Sequence, residues 1–364
     1  MRVVVDATPL LGVRTGVGRY TAHLLGELAR LEPPLELAAT AFTWRGLCGL
    51  AGALPPGVAV AARRAPARLL RAAWARGELP PVEWLAGRAA VVHGTNFVLP
   101  PARRARGVLT VHDLSYLRVP GTVTTASARY QELVPRELRR AAAVITPSRA
   151  VADEVIDTYR LDPAVVVPTP LGVDPAWFAV PPPTAAWLAA RGLPERYLLF
   201  VGTLEPRKDV ATLLAAYRRL RSQVPDVPPL ALVGPAGWGP APELAGLPPH
   251  AVVRVGYLEE AELRPVVAGA AVLCFPSLYE GFGLPPLEAL AAGTPVVGTD
   301  IPTTREVVGP YARLVAPRDP DALAAALHAT LGGGHDPAPG RAHAATFTWR
   351  RTAEATRAVY DRLR

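Results

Sequence analysis

Short apolar runs, each closed by a polar or glycine-marked turn and followed by a helix-like stretch, repeat along this chain. Arg2 to Asp6, Glu36 to Phe42, Ala90 to His93, Val108 to Val111, Ala143 to Thr146 and Val165 to Val167 read as buried strands. A helix-like run, Tyr20 to Leu31, follows the first of them. The alternation breaks at Val167 to Thr184, where P-T-P-L-G-V-D-P and P-P-P crowd together as in a linker. It restarts at Tyr197 to Gly202 and continues through Leu230 to Gly234, Val252 to Gly256, Ala271 to Phe275, Pro295 to Gly298 and Ala312 to Val315. Strands that alternate with helices form parallel sheets with right-handed crossovers. The predicted fold class is therefore α/β, with two doubly wound parallel-sheet domains. Their expected bounds are residues 1–172 and 195–346, with 173–194 as linker and a basic helical run, 347–364, at the end.

The length of 364 residues suits two domains of ordinary size, and the 50% apolar share suits packed cores. A formal charge of +8 favours an anionic partner. The arginines are spread and lack the aromatic interleaving of a single-strand binder, which argues against nucleic acid. Arg63, Arg64, Arg68, Arg71 and Arg76 accompany Leu69, Leu70 and Trp74, so a helix there reads either as an element lying on an anionic membrane surface or as a plain domain helix with solvated arginines. The chain enters its first strand at once and holds no run long enough to span a bilayer, so a cytoplasmic location is expected. Cys48 and Cys274 sit in apolar surroundings and read as buried thiols. Among the 39 basic residues Lys208 is the only lysine, and Asn96 is the only asparagine in the chain; such survivors of a strong compositional bias attract attention.

Candidate chemistry gathers after the strands. From Cys274 to Pro295 the chain reads C-F-P-S-L-Y-E-G-F-G-L-P-P-L-E-A-L-A-A-G-T-P: strand end, glycine-punctuated loop, then a helix with Leu287, Leu290 and Ala291 inward and Gly293 past its end. Unpaired amides at such a helix start, beside Gly281 and Gly283, seat phosphate or sugar oxygens. Glu280 would face that ligand from the loop and Glu288 from the first helical turn. After Tyr197 to Val201 comes G-T-L-E-P-R-K-D, whose Arg207 and Lys208 suit a diphosphate leaving group. Cations at a helix start are otherwise misplaced. In the other half, H-G-T-N-F-V-L-P and V-H-D-L follow apolar strands, and the carboxyl ends of parallel strands line the ligand crevice. His93, Asn96, His112 and Asp113 are thus expected to face one cleft. Gly12, Gly16 and Gly18 form a glycine-rich turn before the first helix. Asp319-Pro320-Asp321 reads as a helix cap, and no metal site is expected.

The E-x7-E string with F-P-S before it and A-x-G-T-P-V-V after it resembles the retaining sugar-nucleotide glycosyltransferases of family 4, which have the GT-B fold of two Rossmann-like domains. The likeness runs from the first glycine loop to the last helix. It implies that Glu280 lies near the transferred sugar or its diphosphate and that Glu288 holds the nucleotide ribose, with Gly281, Phe282, Gly283 and Leu284 around the donor. Gly16 and Gly18 carry over as donor-binding residues. Lys208 matches the family's usual lysine; many members carry an arginine where this chain has Thr203, a role that Arg207 is a candidate to take over. Gly256, Tyr257 and Leu258 match the segment that reads the base. H-G-x-N-F and V-H-D-L recur in mannosyltransferase-like members, which makes GDP-mannose the favoured donor and a UDP-sugar the alternative. His112 is then a contact to the sugar, Asp113, His93 and Asn96 acceptor-side candidates, and the final helix an element that crosses back onto the first domain. No cofactor is implied beyond the sugar nucleotide. The acceptor class stays open among a glycan, a lipid-linked molecule and a small molecule, and a non-hydrolysing epimerase or a silent sugar-nucleotide binder remain competing readings.

Overall fold

A computed structural model describes residues 1–12, 16–44 and 46–364, with Arg71 described by its backbone alone. Val13, Arg14 and Thr15 of the glycine-rich turn, and the Arg71 side chain, therefore lie outside the described residues. The chain divides into two compact units, one of Met1–Leu114, Ala126–Gly172 and Thr348–Arg364, the other of Ser115–Thr125 and Val173–Phe347.

The first unit holds β1 (Arg2–Asp6), β2 (Glu36–Thr40), β3 (Ala59–Val60), β4 (Val91–Gly94), β5 (Arg106–Thr110), β6 (Ala141–Thr146) and β7 (Val166–Pro168). All pair in parallel in the order β3-β2-β1-β4-β5-β6-β7. A strand covered by helices on both faces must be apolar on both, and Val3, Val4 and Val5 are fully buried in succession. The helix Gly16–Leu28 starts four residues earlier than expected, so Gly16 and Gly18 are its first and third residues rather than parts of a preceding turn. Amides of a first turn make no bond within the helix, so glycine costs least there. Its buried side is Tyr20, Leu24, Leu25 and Leu28.

The last helix, Trp349–Arg362, belongs to this unit. Thr348 caps it by accepting from the Arg351 amide, Trp349 stacks on His23 at 4.6 Å, and Thr352 Oγ1 donates to the Pro170 carbonyl at 2.6 Å. The arginine-bearing segment does form a helix, Ala67–Trp74. Its Leu70 and Trp74 are buried in their own unit, while Leu69 stays 68% exposed. Among the described residues no helix is long and apolar enough to cross a bilayer.

The second unit holds β8 (Leu198–Val201), β9 (Leu230–Val233), β10 (Val252–Gly256), β11 (Val272–Phe275), β12 (Val296–Thr299) and β13 (Arg313–Val315), parallel in the order β10-β9-β8-β11-β12-β13. Leu198, Phe200, Leu213, Tyr217, Leu230 and Cys274 pack in one core cluster. The proline-rich stretch after Gly172 packs here too: Asp174 accepts from the Ala176 amide, Trp177 is fully buried, and Arg341 donates to the Phe178 carbonyl at 2.6 Å. Trp238 Nε1 donates to the Thr122 carbonyl, which ties in Ser115–Thr125. Cys274 is buried, and burial pushes its thiol up to about 12. Cys48 is exposed, against expectation, because the short helix Leu47–Ala53 turns only Leu50 inward.

Candidate functional site

In the second unit the carboxyl ends of neighbouring strands bring two loops together. The Leu278 amide donates to the Arg207 carbonyl at 2.9 Å, joining the loop after β11 to the turn after β8. Arg207 then spans the join. Its Nη1 donates to the Tyr279 carbonyl and to Glu280 Oε2, both at 2.8 Å, and its Nη2 to Glu205 Oε1 at 2.6 Å. Lys208 Nζ reaches Glu280 Oε1 at 2.5 Å and stands 5.6 Å from the centroid of the Phe275 ring. Burial works against a charged Glu280, but the charges of Arg207 and Lys208 outweigh it and hold the carboxyl at about 2. Glu205 is pushed up instead: burial dominates there, and Arg207 and Lys208 offset only part of it. Arg207 is thus locked by three acceptors. An ammonium has three N–H donors, and one of Lys208's goes to Glu280, so Lys208 is the cation better able to turn toward an incoming anion.

The loop after β11 ends at Gly283, whose φ of 99° is a left-handed conformation that a side chain would strain. The helix Leu284–Ala292 begins directly after it. Leu284, Pro286, Leu287, Ala289, Leu290 and Ala291 are all buried, so this helix is wrapped in its own domain rather than lying on its surface. Glu288 sits among them, 2% exposed and in the second turn, one turn later than expected. Gly281 and Phe282 are buried beside Glu280. Thr203 follows β8 half-buried. The Gly234 amide donates to the Gly256 carbonyl, which places Gly256, Tyr257 and Leu258 at the same carboxyl edge, Tyr257 being 43% exposed. Asp319 caps the helix Pro320–Leu331 by accepting from the Asp321 and Ala322 amides.

In the first unit the two histidines part company. His93 lies inside β4 and is fully buried. Its Nδ1 pairs with the Tyr360 hydroxyl at 2.6 Å and its Nε2 with Thr110 Oγ1 at 2.7 Å, so neither nitrogen is open to an acceptor. Burial, helped by the nearby His112, lowers it to about 3. The acceptor-side expectation for His93 is corrected on these grounds. His112, two residues beyond β5, is half-buried at the strand's carboxyl end. Its Nε2 must carry the hydrogen, because it meets the Thr95 carbonyl at 2.7 Å. Burial lowers its pKa, more than the Thr95 bond and the Asp113 charge raise it. The neutral ring therefore keeps Nδ1 as an acceptor. Tyr20 and Phe97 hold the ring edge-on at 5.1 and 5.7 Å. Asp113 and Asn96 are half-buried, Gly16 is exposed and Gly18 buried.

Glu205 was not anticipated. Its signal was available in G-T-L-E-P-R-K: a carboxylate two residues before Arg207, in a turn too tight to hold them apart.

The sequence matches the model for Glycosyltransferase Family 4 over residues 14–177 and the model for Glycosyl transferases group 1 over residues 195–332. It is similar to the O-antigen chain mannosyltransferase B of Escherichia coli, 31% identical over 291 residues that span 75% of this chain and 74% of that protein. It is also similar to the glycogen synthase of Mycobacterium tuberculosis, 33% identical over 295 residues, 76% of this chain and 67% of that one. Among solved structures, the sucrose-phosphate synthase from Thermosynechococcus elongatus superposes with a TM-score of 0.72 at 20% identity, covering 100% of this chain and 98% of the other. With two parallel sheets and these likenesses together, the chain is a hexosyltransferase of GT-B fold and belongs to the retaining glycosyltransferases of family 4.

Proposed function

We propose that the protein transfers mannose from GDP-mannose to a hydroxyl group of a glycan, a lipid-linked molecule or a small molecule. The observation that carries this reading is the convergence of Lys208 and Arg207 on Glu280 at the carboxyl ends of β8 and β11. Cations held there, with the amides that open the helix Leu284–Ala292, are preorganised where the charge of a departing diphosphate grows. Mannose is favoured by the mannosyltransferase relative, and a UDP-sugar is kept as the second reading because a solved structure of similar fold is described in complex with UDP-glucose.

In the transfer, the bond from the sugar's anomeric carbon to the diphosphate oxygen breaks. The acceptor oxygen bonds that carbon on the same face, and its proton passes to the departing phosphate oxygen. Glu280 is assigned to the sugar and diphosphate, and Glu288 to the ribose. Gly256, Tyr257 and Leu258 are assigned to the base; Thr203, Gly281, Phe282, Gly283 and Leu284, with Gly16 and Gly18, to the rest of the donor. His112 is assigned to a sugar hydroxyl through Nδ1, and Asp113 and Asn96 to the acceptor side. The chain's part is alignment and leaving-group stabilisation.

Incubation with GDP-mannose, UDP-glucose and UDP-N-acetylglucosamine tests the reading. Transfer or slow hydrolysis of GDP-mannose supports it, turnover of a UDP-sugar alone moves it to the second reading, and C2 inversion or no turnover of any donor overturns it. Turnover is expected to be unchanged by EDTA, since cationic side chains are assigned to the diphosphate and Asp319 is engaged as a helix cap. A loss restored by magnesium would contradict that assignment.

A further inference from the structure

At the carboxyl edge of the first sheet, wholly within the first unit, lies a cavity of about 100 Å³. Its wall combines three aromatic rings, Phe42, Trp74 and Tyr130, with Asp6, Thr8 and Asn96. The rings are fixed. Trp74 stands edge-on to Phe42 at 4.9 Å and its Nε1 donates to the Pro80 carbonyl at 2.9 Å, while Tyr130 stacks on Phe97 at 4.6 Å. The carboxyl side is fixed as well: Asp6 Oδ1 accepts from the Thr8 amide at 2.9 Å and from Thr8 Oγ1 at 2.6 Å, and Thr8 Oγ1 accepts from the Phe42 amide at 3.1 Å.

Asn96 reaches this wall from a strained turn. Phe97 has φ of 58°, a left-handed conformation that a bulky residue adopts only when its surroundings impose it. They do so here. The Phe97 amide donates to the Thr110 carbonyl, the Val98 amide to the Asn96 carbonyl, and the turn folds back so closely that a Cβ on Gly94 would strike the Val98 carbonyl oxygen. Backbone strain of this size costs on the order of 1–3 kcal/mol and collects where it positions a group for use. What it positions is the chain's only asparagine, half-buried, with an amide that both donates and accepts.

We infer that this cavity is a subsite for one edge of a neutral hexopyranose belonging to the acceptor, an inference that rests on the glycosyl-transfer reading proposed above. Aromatic faces beside a carboxylate, a hydroxyl and an amide suit a ring that is apolar on its faces and hydroxylated at its rim. Charge narrows the class. The described lining residues include Asp6 but no lysine, arginine or histidine, which disfavours a phosphate or carboxylate. The acceptor rather than the donor is taken as its source because Asn96, in this wall, is assigned above to the acceptor side. Size narrows it further, since enclosing even a benzene ring takes about 150 Å³. The cavity therefore takes a hydroxymethyl group and its neighbouring hydroxyls and leaves the rest of the ring outside.

The test uses the full chain without donor, methyl α-D-mannopyranoside and its 6-phosphate as probes, and ligand-observed saturation-transfer NMR as readout. The neutral glycoside is expected to bind, and the phosphate about tenfold more weakly or not at all. Asn96→Leu is expected to weaken neutral binding about threefold to tenfold. Val98→Phe, which fills the cavity without removing a polar wall group, should abolish it, and thermal melts establish that each variant is folded. No glycoside binding, binding untouched by both variants, or a 6-phosphate that binds as well as the neutral sugar would overturn the subsite. Turnover of a sugar nucleotide without glycoside binding counts against the subsite alone; glycoside binding lost in Val98→Phe, with no donor ever turned over, counts against the transfer reading alone.

Discussion

Each unit holds a polar cluster near the carboxyl ends of its central strands, and the two are built on opposite terms. In the first unit Tyr360, His93, Thr110 and Tyr20 are joined by contacts of 2.6, 2.7 and 3.1 Å, and all four are buried. Burial keeps His93 neutral and raises the Tyr20 and Tyr360 hydroxyls above their ordinary range, so the network carries no charge at neutral pH. In the second unit Arg207 and Lys208 meet Glu205 and Glu280, with a lysine that has donors to spare. Burial differs between them: the first cluster is at most 1% exposed, whereas Arg207 and Lys208 are half-buried. Charge and unspent hydrogen-bonding capacity differ as well, and under the function proposed above the first cluster braces helices on a sheet while the second serves the transfer.

The sharpest way to break this contrast is to strike each cluster and ask what fails. Lys208→Ala should lower turnover at saturating donor by about 10²–10³, or about 2–4 kcal/mol of leaving-group stabilisation. Steady-state kinetics near the wild-type rate would remove Lys208 from the reaction. Tyr360→Phe strands His93 Nδ1 and should cost about 1–3 kcal/mol in urea unfolding. Its turnover per folded molecule should stay at the wild-type level, and a large drop would mean that the network does more than brace the fold.

In the second unit, Glu280→Gln should mainly reduce kcat and Glu288→Gln mainly raise KM for the donor, each by about tenfold. The reverse split in folded variants would undo the two assignments. The smallest effect separates the units by pH. Unfolded His93 takes up a proton below 6.5 but the folded residue not until about 3, so the unfolded state binds more protons between those values. The stability it contributes is complete above 6.5 and is lost as pH falls toward 3. For Glu280 the window is lower, from 4.5 down to about 2. Amide exchange should therefore accelerate in the first unit at a higher pH than in the second, and simultaneous onset would contradict the electrostatic contrast.

The expected strands from Arg2–Asp6 to Arg313–Val315 lie within a residue or two of their places because strands buried on both faces are continuous apolar runs between turn residues. β3 had no such signal: Ala59 and Val60 are a two-residue edge strand with both residues exposed. The start of the first helix was misplaced because glycine propensity argues against a helix in its interior and says little about its first turn. Arg207, Lys208 and Glu280 were legible as charged groups after strands, but their meeting depends on the Leu278 to Arg207 backbone bond, which no local pattern announces. His93 misled for the same reason. Its partner Tyr360 lies 267 residues away, and nothing in V-V-H-G tells a strand-end ligand from a strand-interior brace.

The split first unit also sets a clock on biosynthesis. Its sheet is complete by Gly172, but its closing helix follows Val173–Phe347 in the chain. At about 5–20 residues per second, translation of that insert takes on the order of 10–35 s. During that interval the second unit's main segment is emerging and free to fold, while the first lacks Tyr360 for His93 and Trp349 for His23. The earlier half of the chain is thus the later to mature, and it is the half that nascent-chain chaperones have reason to hold.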